Sequence, residues 1–232
     1  MKDRIVIALD TDSPGTALAT VRSLSGEVGL FKVGMELFPR GGPDLVRRIR
    51  ESGHGVFLDL KFHDIPNTVA GAVRSAAELG VRFATVHASG GRAMLAAAAE
   101  AAAGTGTTLL AVTVLTSLDD ADLADVGFSL KAGDAVLRMA ELAAAAGIGG
   151  IVCSANEVAA VRARLGKDAV LVTPGVRMPG GEAGDQKRVV TPGDAVRRGA
   201  DYIVVGRPVT RAADPKAAAR EIAEAMRRGA EG

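Results

Sequence analysis

Short apolar runs of strand type alternate with longer, Ala-rich stretches of helical period along the whole chain. The runs at residues 5–10, 30–34, 55–61, 83–87, 108–115, 149–153, 169–173 and 202–205 read as strands. Each is followed by a helical stretch. The first opens at Ser13-Pro14, an N-cap followed by a proline at the first helical position. The others cover about 43–52, 66–79, 92–103, 133–146, 156–165, 192–198 and 214–228. Eight strand–helix units in 232 residues give 29 residues per unit. Strands separated by helices pair in parallel, because the crossover is too long for a hairpin. Eight regular units predict a closed (β/α)8 barrel, the TIM-barrel architecture. A doubly wound open sheet is the alternative, but no early G-x-G-x-x-G supports it. No linker-like shift in composition divides the chain, so residues 1–232 read as one barrel domain. A Gly-rich connection at 175–190 is too long for a mere link and reads as a functional loop.

The remaining composition mainly excludes. With 48% hydrophobic residues the chain can build a large core, and a formal charge of +1 offers no electrostatic reason for a nucleic-acid or membrane partner. There is no Trp and one Tyr, so no aromatic platform for single-stranded nucleic acid. A lone cysteine, Cys153, excludes an internal disulfide and reads as a small core residue of a reducing compartment. Met1-Lys2-Asp3-Arg4 leads straight into an apolar strand without a signal-peptide pattern, and a cytoplasmic location is expected. The histidines lack metal spacing, and neither a nucleophile elbow nor a P-loop is present. His54 is expected to be exposed at the end remote from the site and His87 to be a core residue. His63 lies within the charged stretch described next.

Barrel active sites lie at the C-terminal ends of the strands, and the out-of-place polar residues fall there. Asp10 ends the first run, Lys32 lies toward the end of the second, and Thr116 and Arg207 follow the fifth and eighth. The densest cluster is Asp59-Leu60-Lys61-Phe62-His63-Asp64-Ile65-Pro66. Side chains alternate along a strand, so Asp59 and Lys61 share a face while Leu58 and Leu60 take the other. Buried charges must pair or perform chemistry. If Lys32, Asp59, Lys61 and Asp64 meet, their signs alternate. Opposite charges about 4 Å apart attract by roughly 4 kcal/mol at an effective dielectric near 20, enough to hold an ammonium in place as a general acid. The bland alternative is a structural ion-pair network closing the rim. Gly206-Arg207 and Thr173-Pro174-Gly175-Val176-Arg177 form a candidate phosphate site, since glycine lets backbone N–H groups approach an anion and arginine offers a bidentate fork. For either loop alone, a turn with a surface arginine is the simpler reading.

Asp59-Leu60-Lys61-Phe62-His63-Asp64-Ile65-Pro66-Asn67-Thr68 closely resembles the signature of the orotidine 5'-phosphate decarboxylase family. Ile7-Ala8-Leu9-Asp10, Phe31-Lys32-Val33-Gly34, Val112-Thr113-Val114-Leu115-Thr116-Ser117 and Tyr202-Ile203-Val204-Val205-Gly206-Arg207-Pro208 resemble further motifs of that family in the same order. Thr173-Pro174-Gly175-Val176-Arg177 with Gly184-Asp185-Gln186 resembles its phosphate-side loop. The resemblance implies decarboxylation of orotidine 5'-phosphate to UMP and CO2 in pyrimidine biosynthesis, without metal or organic cofactor. It implies that Lys61 donates a proton to C6 and that Asp59 sits beside the substrate carboxylate. Lys32 and Asp64 would complete the charge array. Asp10 and Lys32 would contact the ribose, Thr116 the pyrimidine, and Arg177, Gln186, Gly206 and Arg207 the phosphate. It also implies a homodimer in which Asp64 and Thr68 reach the neighbouring subunit's site. The alternatives are a magnesium-dependent sugar-phosphate decarboxylase or aldolase of the same superfamily, and a phosphate-binding barrel without catalysis. The magnesium enzymes resembling 3-keto-gulonate-6-phosphate decarboxylase and hexulose-phosphate synthase carry an acidic residue on the second strand. Lys32 stands there in this chain.

Overall fold

In the computed structural model, which describes residues 1–178 and 190–231, the eight apolar runs are parallel strands paired in chain order. They are β1 (Ile5–Ala8), β2 (Leu30–Gly34), β3 (Gly55–Phe62), β4 (Phe83–His87), β5 (Thr108–Val112), β6 (Gly150–Val152), β7 (Val170–Thr173) and β8 (Tyr202–Val205). β8 pairs back onto β1, with Ile5 opposite Ile203 and Ile7 opposite Val205, and so closes the barrel. Strand alternation sorts the apolar residues into two layers. Val6, Ala8, Leu30, Phe57, Phe83, Leu110, Val172 and Val204 fill the barrel interior. Ile5, Ile7, Phe31, Val33, Val56 and Leu58 point outward against the helices. The phenylalanines are the bulk of the inner layer. Phe83 meets Phe57 and Tyr202 edge-on at 6.0 and 5.0 Å between ring centroids, an arrangement that favours the ring quadrupoles. Gly150 gives room to Leu110 of the same layer and to the adjoining β7 backbone, since a Cβ there would lie 2.6 Å from Leu110 Cδ2 and 2.5 Å from the Val170 carbonyl oxygen.

The helices are α1 (Pro14–Ser23), α2 (Phe38–Glu51), α3 (Pro66–Glu78), α4 (Gly91–Ala102), α5 (Asp120–Asp125), α6 (Ala132–Ala145), α7 (Val158–Leu165), α8 (Pro192–Arg197), α9 (Arg207–Thr210) and α10 (Pro215–Glu231). Ser13 caps α1 as its sequence predicts, accepting the Thr16 N–H at 3.2 Å. Three segments depart from the sequence reading. α2 begins earlier, at Phe38, and is broken at Gly42 (φ 53°), so that Pro43 opens its second part. α5 lies in the connection after β5, held by a reciprocal capping box between Asp119 and Asp122. α9 is a short turn directly after Gly206. The first and fifth strands also end sooner than expected, at Ala8 and Val112. Asp10 and Thr116 therefore stand on loops above the barrel. Cys153 is buried in the outer layer, as its apolar setting indicates.

At the opposite end, an arginine ties the closing strands together. Arg162 on α7 donates to the carbonyls of Gly166, Ala169 and Gly199 and pairs with Asp201 Oδ2 at 2.6 Å. The same carboxylate oxygen accepts the Leu171 N–H at 2.7 Å, and Arg4 donates to the Ala200 and Asp201 carbonyls. Charge-assisted bonds of this kind contribute about 1.5–3 kcal/mol each where desolvated. Replacing Arg162 by Ala is expected to lower stability by about 2 kcal/mol, read as a lower denaturant midpoint. Because the seam lies away from the strand C-termini, KM for the substrate should not change.

Candidate active site

The site is organised by an irregularity in β3. Leu58 pairs with Ala84 and Phe62 with Val86, so Asp59, Leu60 and Lys61 lie opposite Thr85 alone. Such a bulge bends the strand and re-aims its side chains. Lys61 takes φ 51°, the one positive φ of a non-glycine residue among the described residues. That conformation costs about 1–3 kcal/mol. The Lys61 N–H is satisfied at 2.8 Å by Thr85 Oγ1, whose own proton goes to Asp59 Oδ1 at 3.1 Å.

The charges converge above this bulge. Lys61 Nζ lies 2.9 Å from Asp59 Oδ2, and Lys32 Nζ lies 3.6 Å from the same oxygen. Lys32 also donates to Asp10 Oδ1 at 3.1 Å. Gly34 leaves space for that ammonium, because a Cβ at Gly34 would lie 2.9 Å from Lys32 Nζ. Burial pushes the Asp59 carboxyl upward. The Lys32 and Lys61 charges, with hydrogen bonds from Lys61 and Thr85, outweigh burial and hold it below the usual carboxylate value. The alternating array expected from the sequence thus exists, but within one chain its fourth member is Asp10. Asp64 is exposed and its Oδ1 accepts the Ile65 N–H at 2.6 Å, away from Lys61.

A cavity of about 660 Å³ opens over this array. Asp10, Lys32, Asp59 and Lys61 form one side, and Thr116 and Ser117 contribute from the loop after β5. Pro174, Gly175, Arg177, Gly206 and Arg207 form another wall. Arg177 stands where the ends of the long loop meet, since Val176 bridges Val190 and the Arg177 N–H donates to the Val190 carbonyl at 3.1 Å. Gly206 packs close to Asp10, with the position of a Cβ only 3.6 Å from Asp10 Oδ2. The predicted residues Asp10, Lys32, Asp59, Lys61, Thr116, Arg177, Gly206 and Arg207 therefore share one cavity. Asp64 and Thr68 lie outside it, both exposed at the start of α3. Gln186 falls outside the described residues.

Three further placements refine the reading. His63 and His87 lie 5.3 Å apart between ring centroids with their planes tilted by 34°, and neither lines the cavity. Burial, then the His63 and Lys61 charges, hold the His87 imidazole below its usual pKa. His54, expected to be exposed, is half-buried with its ring edge-on to Phe31 at 5.1 Å, and burial lowers its pKa. Thr85 was missed by the sequence reading. Its signal is a hydroxyl at an inward position of an otherwise apolar strand, between Phe83 and His87. Among the described residues, no group of three or more His, Cys, Asp or Glu side chains is arranged to hold a metal ion.

Residues 3–222 match the family described as Orotidine 5'-phosphate decarboxylase / HUMPS family. The chain belongs to this family. It is 56% identical over 224 residues to the orotidine 5'-phosphate decarboxylase of Anaeromyxobacter sp. (strain K), covering 97% of this chain and 98% of that one. It is 54% identical over 222 residues to the protein of the same name from Halorhodospira halophila, covering 95% and 94%. The crystal structure of orotidine 5'-phosphate decarboxylase from Lactobacillus acidophilus superposes with a TM-score of 0.85 at 38% identity, over 96% of this chain and 98% of that one. The family's barrel is thus the observed one.

The depressed Asp59 pKa has a consequence for acid stability. A carboxyl whose native pKa is below its unfolded value of about 3.9 contributes stability above that value. The contribution disappears as pH falls through the lower native value. Asp59→Asn should therefore flatten part of the stability loss below about pH 4, measured as denaturant midpoint against pH. An acid slope unchanged by the substitution would contradict the assignment.

Proposed function

We propose that this chain catalyses the decarboxylation of orotidine 5'-phosphate to UMP and CO2, the last step of de novo UMP synthesis, in one cytoplasmic catalytic domain and without a cofactor. The observation that carries the proposal is the Lys61 ammonium, held 2.9 Å from Asp59 inside a cavity whose other wall presents Arg177 and Arg207. The bond from C6 to the carboxylate breaks, CO2 leaves, and the electron pair stays on C6. Lys61 Nζ donates a proton to that carbon and regains one from solvent. No neighbouring group of the pyrimidine delocalises the pair, so a fixed positive charge beside C6 stabilises the transition state. The array is already oriented by its ion pairs, so little reorganisation is left for the moment of reaction.

Phosphate capture by Arg177, Gly206, Arg207 and Gln186 anchors the remote end of the substrate. That binding energy aligns C6 with Lys61. Asp10 and Lys32 hold the ribose, Thr116 the pyrimidine, and Asp59 faces the scissile carboxylate. We assign Asp64 and Thr68 to the neighbouring site of a homodimer, a reading supported by their exposed positions outside this chain's own cavity. The magnesium-dependent alternative has a physical difficulty, because the Lys32 ammonium stands 3.6 Å from Asp59 Oδ2, where a cation bound by that carboxylate would sit.

Three measurements test this. Loss of orotidylate absorbance should proceed equally with and without a chelator, and a requirement for magnesium would overturn the cofactor-free reading. Lys61→Ala should lower turnover by more than about 10³-fold while UMP binding survives; near-normal turnover would remove Lys61 as proton donor. Mixing Asp64→Ala chains with Lys61→Ala chains should restore activity, since each hybrid dimer regains one complete site. No recovery would overturn the shared site.

A further inference from the structure

We infer that Thr85, which the proposed substrate does not touch, is a positioning residue of the decarboxylation site: its hydroxyl holds the β3 bulge and sets which oxygen of Asp59 faces the lysines. The inference rests on the decarboxylase reading above. Thr85 is fully buried and does not line the cavity. It stands alone on β4 opposite Asp59, Leu60 and Lys61. In a regular parallel ladder successive residues face opposite neighbours; Val56 bonds toward β4 and Gly55 toward β2, so the Lys61 N–H would face β2. The bulge turns this N–H toward β4, where Thr85 Oγ1 accepts it at 2.8 Å.

The direction of the two bonds is fixed by chemistry. A backbone N–H only donates, so Thr85 Oγ1 accepts from Lys61, and its single proton is left for Asp59 Oδ1 at 3.1 Å. With Oδ1 held toward β4, Oδ2 is turned toward the cavity, where both ammonium groups meet it. One hydroxyl thus restrains the Asp59 carboxylate and the unusual backbone conformation of Lys61 together. Without it, the carboxylate can rotate about its last torsion, which is broad for Asp. Lys61 can also relax from its left-handed conformation. Either change moves the donor ammonium relative to C6, and displacements of about 1 Å lower rates by roughly 10²-fold. Arg177 and Arg207, across the cavity, are not affected.

The test compares Thr85→Val, which keeps the shape and removes the hydroxyl, with Thr85→Ser, which keeps the hydroxyl and removes the methyl. Wild type is assayed in parallel; its failure to decarboxylate orotidine 5'-phosphate overturns the functional reading itself. With wild type active, Thr85→Val is expected to lower kcat by about 10–100-fold. KM and the affinity for UMP should stay within about 3-fold, a margin smaller than the loss of one charge-assisted hydrogen bond. Thr85→Ser should recover kcat to within about 3-fold of wild type by restoring that bond. All rates are taken well below each variant's unfolding midpoint. A Thr85→Val enzyme with wild-type kcat and only a lower midpoint would make the hydroxyl structural and overturn the inference. So would a Thr85→Ser enzyme as slow as Thr85→Val. If Thr85→Val does not fold, Thr85→Cys, with only a weak S–H donor, is judged by the same criterion.

Discussion

The mouth of the barrel is arranged around one buried negative charge. Asp59 is 9% exposed, and removing a carboxylate from water costs several kcal/mol unless partners replace the lost solvation. Two ammonium groups and a threonine hydroxyl do so here. Each partner is placed by the backbone around it. Lys32 reaches Asp59 from β2 across the bare face of Gly34, Lys61 reaches it from a bulged backbone, and Thr85 fills the gap opposite that bulge. The carboxylate therefore acts on geometry as much as on charge. It converts long, flexible lysine side chains into fixed ones, which is the condition for electrostatic preorganisation.

The same arrangement explains why the cavity has two unlike walls. Within the chain, Asp10, Lys32, Asp59 and Lys61 carry two positive and two negative charges, so the array has little net attraction for an anion. Arg177 and Arg207 lie on the other wall with Gly175 and Gly206 beside them. Under the proposed roles, binding and chemistry are separated. In the proposed reaction an anionic group of the substrate would be captured by arginines that take no part in proton transfer, while the balanced array would meet the reacting carbon. The seam between β1 and β8 brings the two walls within reach of each other, as the proximity of Gly206 to Asp10 shows.

Much of this was legible in the sequence, for definable reasons. The strands could be read because each is a short apolar run bounded by turns, and barrel closure followed from eight regular units. The rim residues stood out because Lys32, Asp59 and Lys61 are charges in apolar surroundings. Strand alternation put Asp59 and Lys61 on one face, which is correct, but the structure reaches that result through a bulge. No residue type marks a lysine in the left-handed region, so the strain at Lys61 was invisible. Thr85 was missed because a threonine in a strand is ordinary, and its importance lies in what β3 does opposite it. α5 was missed because its capping box stabilises only six residues, too few to show a helical period. His54 was misread because its partial burial depends on Phe31 of another strand.

Asp64 shows how far a single chain carries the argument. It lies three residues beyond Lys61 in sequence, yet its carboxylate is exposed and, among the described residues, engaged only with the Ile65 N–H. Ile65 itself is 67% exposed and Met35, on the loop after β2, is 58% exposed. Both stand just beyond the C-terminal ends of β2 and β3, beside the charged rim. In the proposed dimer this rim would be covered, and Asp64 would be directed into a cavity other than its own. The added carboxylate would change a balanced array into one with a net negative charge beside the substrate's own carboxylate. Assembly would then alter the electrostatics at the scissile bond as well as the shape of the site. On that view, the short Asp59–Asp64 stretch serves two requirements: its first half builds the array of its own barrel, and its second half completes that of the neighbour.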